Sequence, residues 1–281
     1  PGSLVSTTDF DMESGRETVD KLIACAAEAA EQLNEFSDRR LRSATERLYE
    51  LRALLASRAA AAYASRTLAL VGGAGSGKTH ALMRAAVALQ LEGSPVVAVV
   101  GQRLGNAAWW PELKAVLGVE ADSADVFLQE LDSLAEARGR RALIIVDALN
   151  ESQDPRRWRT ELKALLARTA AYPNVAVIVS YRSDYSSLIQ PPESLPVVSH
   201  RGFVGSEGRA LSAYCRLFKV PVPVRSSFDP AFSSPLFLRM FCEVLASDGP
   251  SAADTLTRST LFGRFATVRA ERVVDALRLA P

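Results

Sequence analysis

The sequence predicts an α/β protein: a doubly wound parallel sheet with helices before it and a helical subdomain after it. Three observations carry this. Unbroken apolar runs at residues 67–71, 95–100, 142–146 and 175–179 recur between segments of helical periodicity, the pattern of strands buried on both faces and joined by crossover helices. The first run passes directly into Gly72-Gly73-Ala74-Gly75-Ser76-Gly77-Lys78-Thr79 and then into a helical pattern, the strand–loop–helix context of a phosphate-cradling loop. Beyond Gly202 the alternation stops and only helical periodicity remains.

In chain order, residues 4–15 read as a loose polar lead-in. Val19, Leu22, Ile23, Ala26, Ala30 and Leu33 recur at helical spacing, and a second helix follows Ser37 or Asp38 with Leu41, Ala44, Leu48, Leu51 and Leu55 stepping by three and four. That seam covers about two heptads, too few for a coiled coil. It fits packing against the sheet domain, or oligomerisation. Residues 59–64 are alanine-rich and can continue a helix up to the first strand. After the loop, residues 80–91 read as a helix, 95–100 as a fully buried strand, 109–117 and 125–136 as helices, and 142–146 as a strand ending in Asp147. A helix over 155–171, a strand over 175–179 and a short strand at 195–198 complete the alternation, and 207–218, 236–246 and 256–277 read as helices around a Pro- and Ser-rich stretch at 221–235. The division is 1–65 for the amino-terminal helices and tag remnant, 66–204 for the sheet domain, and 205–281 for a truncated helical subdomain.

Composition narrows the function. The 281 residues carry a formal net charge of +1, which gives no global electrostatic case for nucleic acid and leaves only a local patch open, so a nucleic-acid partner is not expected. Cys25, Cys215 and Cys242 are widely spaced in apolar helical contexts and read as reduced core residues; neither a disulfide framework nor a metal cluster fits the spacing. No stretch has the length of a membrane span, and the start lacks the plan of a signal peptide. The expected location is the cytoplasm, with no membrane partner. Pro1-Gly2-Ser3 reads as a cloning scar.

The chemistry lies at the strand ends. In the loop, glycines allow positive φ, so that successive N–H groups curl inward onto phosphate oxygens, and the helix start adds its positive dipole end. Lys78 supplies a compact cation to the β- and γ-phosphates and Thr79 a hydroxyl to Mg²⁺. His80 follows on the helix and is grouped with the cofactor-binding residues by position, although a packed or solvated role fits it as well. Asp147 closes an apolar strand, where a carboxylate can hold Mg²⁺ opposite Thr79. Ala148 stands where many such proteins have glutamate, so the acid available to orient water is Glu151, which also fits the first turn of a helix. Arg182, placed just past the next strand, fits either a γ-phosphate sensor or an ion pair with Asp184 or Asp147. The arginines at 138, 140, 141, 156, 157 and 159 read as a helix end and a solvated face, with a polyanion or subunit contact as the alternative.

Taken together, Gly72 to Thr79, Ile144-Ile145-Val146-Asp147-Ala148-Leu149-Asn150-Glu151, Val177-Ile178-Val179-Ser180-Tyr181-Arg182 and Ser234-Pro235-Leu236-Phe237-Leu238-Arg239-Met240-Phe241-Cys242-Glu243 resemble the STAND-class P-loop NTPases, in particular their NACHT-like bacterial antiviral-defence branch. The resemblance spans about residues 64–247. It implies ATP with Mg²⁺ as the ligand and ADP as the product. By it, Asp147 matches the metal-binding acid, Glu151 the acid that ends the family's second motif, Arg182 the sensor, and Pro235 the proline that leans on adenine. Asn150 replaces an acid common in NACHT proteins, which implies slow hydrolysis, and Ser233 stands where the family has glycine. Such proteins are switches that assemble as homo-oligomers when activated, with an effector domain before the NTPase and a sensing domain after it, and a phage protein as one kind of trigger. The chain reads as an excised core of such a switch. Two other functions fit the same motifs: an AAA-type motor or loader acting on nucleic acid or protein, and a nucleotide-binding scaffold that does not hydrolyse.

Overall fold

The computed structural model describes residues 16–25, 46–54, 56–223, 230–249, 252 and 258–278. The expected lead-in, the apolar positions Ala26, Ala30 and Leu33, the helix start at Ser37 or Asp38 with Leu41 and Ala44, Leu55, and the middle of the Pro- and Ser-rich stretch lie outside them. The described residues fall into two compact units, one running up to Val71 and from Leu82 to Val198, the other comprising Gly72–Ala81 and the residues from Ser199 onward. The sequence-based division at 204/205 follows the change from alternating strands to helices. The compact units instead group the loop with the later residues.

The first unit is built on a five-stranded parallel sheet in the order β2-β3-β4-β1-β5. Its strands are β1 (Thr67–Gly72), β2 (Val96–Val100), β3 (Ala142–Asp147), β4 (Val175–Arg182) and β5 (Val197–Ser199). β3 runs parallel between β2 and β4, with Ile145 opposite Ala98 and Ile178. Every residue of β3 is buried, because helices cover both faces and successive side chains point to opposite sides. Ala142, Ile144 and Val146 join one core with Val177, Val179, Phe127, Leu128, Trp158 and Leu162, whereas Leu143 and Ile145 join a second with Leu70, Leu82 and Ala86. The first core is covered by α4 (Ala124–Ala137) and α5 (Trp158–Thr169), the second by the later turns of α2 (Lys78–Leu91).

Several expectations need adjusting. β2 is not buried on both faces: Ala98 is exposed and three of its valines are half-buried, since β2 forms an edge of the sheet. β4 continues past residue 179 to Arg182, so Ser180, Tyr181 and Arg182 belong to the strand. α4 buries Phe127, Leu128, Leu131 and Ala135 and leaves Val126 and Leu134 exposed. The alanine-rich helix α1 (Arg58–Ser65) is capped by Ser57 and ends at Arg66 in a left-handed conformation (φ 57°), just before β1. Helical residues 16–25 and 46–54 are joined by Arg52 and Asp20 at 2.8 Å. Cys25 is exposed there, unlike the expected core thiol. α3 (Trp109–Leu117) and the single-turn α6 (Ser186–Ile189) complete this unit.

The second unit is helical after β5: α7 (Glu207–Phe218), α8 (Pro235–Asp248) and α9 (Arg258–Arg278). Its core gathers Leu211, Cys215, Phe232, Leu238, Phe241, Cys242, Leu245, Leu261 and Val268. Cys215 and Cys242 are buried as expected, and burial pushes both thiols above their ordinary pKa, which keeps them protonated and weakly reactive. The helix α8 starts on Ser234, whose hydroxyl accepts from Phe237 N–H, with Pro235 in the first turn; both choices suit a helix start.

A buried carboxylate ties α8 to α9. Glu243 Oε1 accepts from Arg239 Nε at 2.8 Å and Arg269 Nη2 at 2.7 Å, and Oε2 from Arg272 Nη1 at 3.3 Å. Burying a carboxylate is costly without partners of this kind. Glu243→Ala is therefore expected to cost about 2 kcal/mol, discounted because the arginines themselves face solvent, and to lower the melting temperature by about 5 °C. A circular-dichroism melt checks this, and an unchanged melt contradicts it.

Candidate functional site

The loop after β1 is shaped by backbone that only glycine accepts easily. Gly75 has φ 68° and Gly77 φ 95°, the left-handed region where a Cβ is strained. Space for a side chain is short as well. A Cβ on Gly75 would lie 2.7 Å from Leu236 Cβ, one on Gly77 would lie 3.3 Å from Pro235 Cγ, and one on Gly72 would overlap the His200 carbonyl. The loop also bonds to the start of α8, where Leu236 N–H donates to Gly75 O at 3.3 Å.

Inside the curl, Lys78 Nζ donates to Gly72 O at 2.8 Å, Gly73 O at 2.9 Å and Ser76 Oγ at 3.5 Å. The side chain is 9% exposed, so its ammonium is held at the turn. α2 begins at this lysine and has no acidic residue in its first turn, which leaves the dipole end open to an anion. Thr79 and His80 are exposed in that first turn. Pro235 packs on Gly77, placing the proline against the loop itself. His200, for which the sequence named no role, accepts from Gly202 N–H through Nδ1 at 3.1 Å, and its carbonyl backs Gly72.

At the end of β3 the carboxylate of Asp147 is buried. It accepts a short hydrogen bond from the Ser180 hydroxyl, which in turn accepts from Ala148 N–H at 2.9 Å. Ala148 takes the left-handed conformation (φ 57°, ψ 55°), uncommon for a residue with a Cβ and a recognised feature of functional turns. Its carbonyl approaches Gly101 so closely that a Cβ there would overlap it. The reversal at Ala148 starts a 3₁₀ turn, 149–151, that brings Asn150 and Glu151 back over the strand end.

Asn150 Oδ1 accepts from Arg182 N–H at 2.9 Å. Glu151 is held through both oxygens: Oε2 accepts from Gln102 Nε2 at 2.7 Å and Oε1 from Arg182 Nη2 at 3.3 Å. Arg182 therefore pairs with Glu151, and the proposed partners Asp147 and Asp184 give way, because the turn at Ala148 folds Glu151 toward the end of β4. The sequence missed Ser180 as the residue that orients Asp147 and Gln102 as the second clamp on Glu151. The one available signal was position: each lies at a strand's carboxyl end, where ligands of open α/β sheets bind. Among the described residues no group of three or more His, Cys, Asp or Glu side chains could hold a metal. A Mg²⁺ ion here would depend on few protein ligands plus phosphates and water, its ordinary habit.

Ser180→Ala should strand the half-buried Ala148 N–H and release the buried Asp147 carboxylate, costing about 2 kcal/mol. Chemical denaturation followed by fluorescence checks this destabilisation; an unchanged midpoint contradicts it.

Four of the six arginines named from the sequence are spent on structure. Arg138 donates to Gly93 O, Arg141 to Tyr63 O, and Arg159 to Leu188 O and Ser187 O. Arg157, expected on a solvated face, is buried against Glu112 at 2.7 Å and bonds Gly105 O. Its guanidinium lies over the Trp158 ring, 5.2 Å from the centroid.

No family model and no curated protein matches the chain. Among solved structures it is similar to a DNA replication initiation factor, with 10% identity and a TM-score of 0.44 over 67% of this chain and 57% of that one. It is also similar to AMPPCP-bound DnaA from Aquifex aeolicus, with 11% identity and a TM-score of 0.41 over 66% of this chain and 56% of that one. A third is C. elegans PCH-2, with 12% identity and a TM-score of 0.36 over 92% of this chain and 68% of that one. The chain spans little more than half the length of the first two. Likenesses this distant carry no functional inference; what the site can do rests on its own residues.

Proposed function

We propose that the chain is an ATP-binding, slowly ATP-hydrolysing module that switches the assembly of a larger protein, in the manner of the STAND and NACHT-like signalling NTPases it resembles. The observation that carries this reading is the loop 72–79, whose glycine curl holds Lys78 at its centre and opens into a helix start free of acidic residues. Those features fit a triphosphate: a curled glycine backbone, a fixed cation and a positive dipole end. In this reading Gly72, Gly73, Ala74, Gly75, Ser76, Gly77, Lys78 and Thr79 bind the phosphates, with His80 and Pro235 flanking them.

Thr79 and Asp147 are the proposed magnesium ligands, and Mg²⁺ would neutralise charge on the transferring phosphoryl group. Ser180 fixes one oxygen of Asp147, leaving the other to act. Glu151 orients the attacking water and accepts its proton, and Arg182, already placed on Glu151, reports on the γ-phosphate. A contact made only with the triphosphate gives the nucleotide state a differential affinity for two arrangements of the chain, which is what a switch needs. A phage protein or another trigger, and effector and sensing domains beyond this chain, belong to the same proposal. So does a cytoplasmic site of action; no helix among the described residues is long and apolar enough to cross a membrane.

Light scattering with ATP, a non-hydrolysable analogue and ADP tests the switch. A mass increase with the triphosphates and not with ADP supports it, whereas one mass in all three states refutes it.

A further inference from the structure

We propose that Arg239, Arg269 and Arg272 form a docking surface for the phosphate backbone of a nucleic-acid strand. The near-neutral total hides a division of charge. Residues 72–81 with 199–281 hold twelve lysines and arginines against seven aspartates and glutamates, a surplus of five positive charges; the rest of the chain holds 21 against 25. Ten of those twelve cations are arginines, whose planar forks match phosphate better than an ammonium does.

The surplus has a local centre. Three guanidiniums meet on the single carboxylate of Glu243, which can neutralise one of them. The arginine side chains are 56%, 42% and 52% exposed, while that of Glu243 is 3% exposed, so the acid lies beneath and the cations face solvent. Each commits one nitrogen to Glu243 among the bonds described, and a guanidinium has five N–H donors. Side chains gathered on one oxyanion are already spaced to grip a second from outside, and the buried carboxylate fixes them there at reduced entropic cost. The neighbouring Arg264 shows the contrast: two of its nitrogens go to Asp248, at 2.9 and 2.6 Å, and its charge is matched.

A surplus spread over the unit and concentrated at one forked cluster suits a polymer with a charge at every step, rather than a lone phosphate. It predicts binding that is insensitive to sequence and sensitive to salt. This inference stands apart from the nucleotide reading, because none of the three arginines belongs to the loop.

Fluorescence anisotropy with a labelled single strand of mixed sequence, at several salt concentrations, provides the test. The wild-type protein should bind at about 50 mM salt and weaken as salt rises. Arg269→Gln with Arg272→Gln should weaken binding about tenfold and reduce the slope of log affinity against log salt by about 1–2. Arg272→Lys, which keeps the charge and removes the fork, should keep the slope. If the double variant loses helicity, Arg239→Gln, which leaves both α8–α9 bridges standing, must lower affinity and slope in the same direction. Absence of strand binding overturns the proposal, as does an unchanged slope in a folded variant. Equal binding of a polyglutamate peptide, or displacement of the strand by inorganic pyrophosphate at matched phosphate concentration, also overturns it.

Discussion

Glu151→Gln should reduce ATP turnover by about 100-fold or more while leaving nucleotide affinity within about threefold. The substitution keeps the shape of the side chain and removes its capacity to take a proton. Its surroundings make it a selective probe. The 3₁₀ turn after Ala148 fixes the backbone of Glu151, and Gln102 and Arg182 hold its two oxygens. An amide can rotate to keep one of those hydrogen bonds, so the fold should survive. Phosphate release at saturating ATP is the readout. Equal turnover in both proteins would remove Glu151 from the chemistry, and zero turnover in both would favour a scaffold that binds without hydrolysis.

Lys78→Ala should weaken ATP binding by about 100-fold, near 3 kcal/mol, the scale of deleting a charge-assisted hydrogen bond from a largely enclosed site. The lysine is held by the carbonyls of Gly72 and Gly73, so its ammonium is placed before any ligand arrives and little ordering remains to be done on binding. Alanine is a strong helix former at the first position of α2, and circular dichroism should therefore be unchanged. Retained affinity in a folded variant would mean that the loop does not hold the phosphates.

Much of the architecture was legible because its signals are local. The run Ala142–Val146 is apolar without alternation since both of its faces are covered, and Asp147 marks the end of the strand by being the first polar residue. The glycine loop was legible because positive φ and close approach at Gly75 and Gly77 require that residue type. What escaped was set by partners distant in the chain. β2 reads as fully buried until the sheet order places it at an edge. Ser180 is an ordinary strand hydroxyl until β4 lies beside β3 and brings it to Asp147, thirty-three residues away in the chain. Gln102 and Arg182 acquire Glu151 only because Ala148 adopts a left-handed turn that its side chain does not advertise. Arg157 sits in a basic run that looks solvated, yet Glu112 draws it inward. The charge surplus of the later residues vanishes in the total and emerges only when the compact units are separated.

The most direct measurement is a calorimetric titration of the wild-type protein with a non-hydrolysable ATP analogue, with and without Mg²⁺. Saturable binding at one site, with a Kd of about 100 µM or tighter and further strengthened by Mg²⁺, is the expected result. A folded protein that shows no saturation at about 1 mM analogue would contradict it.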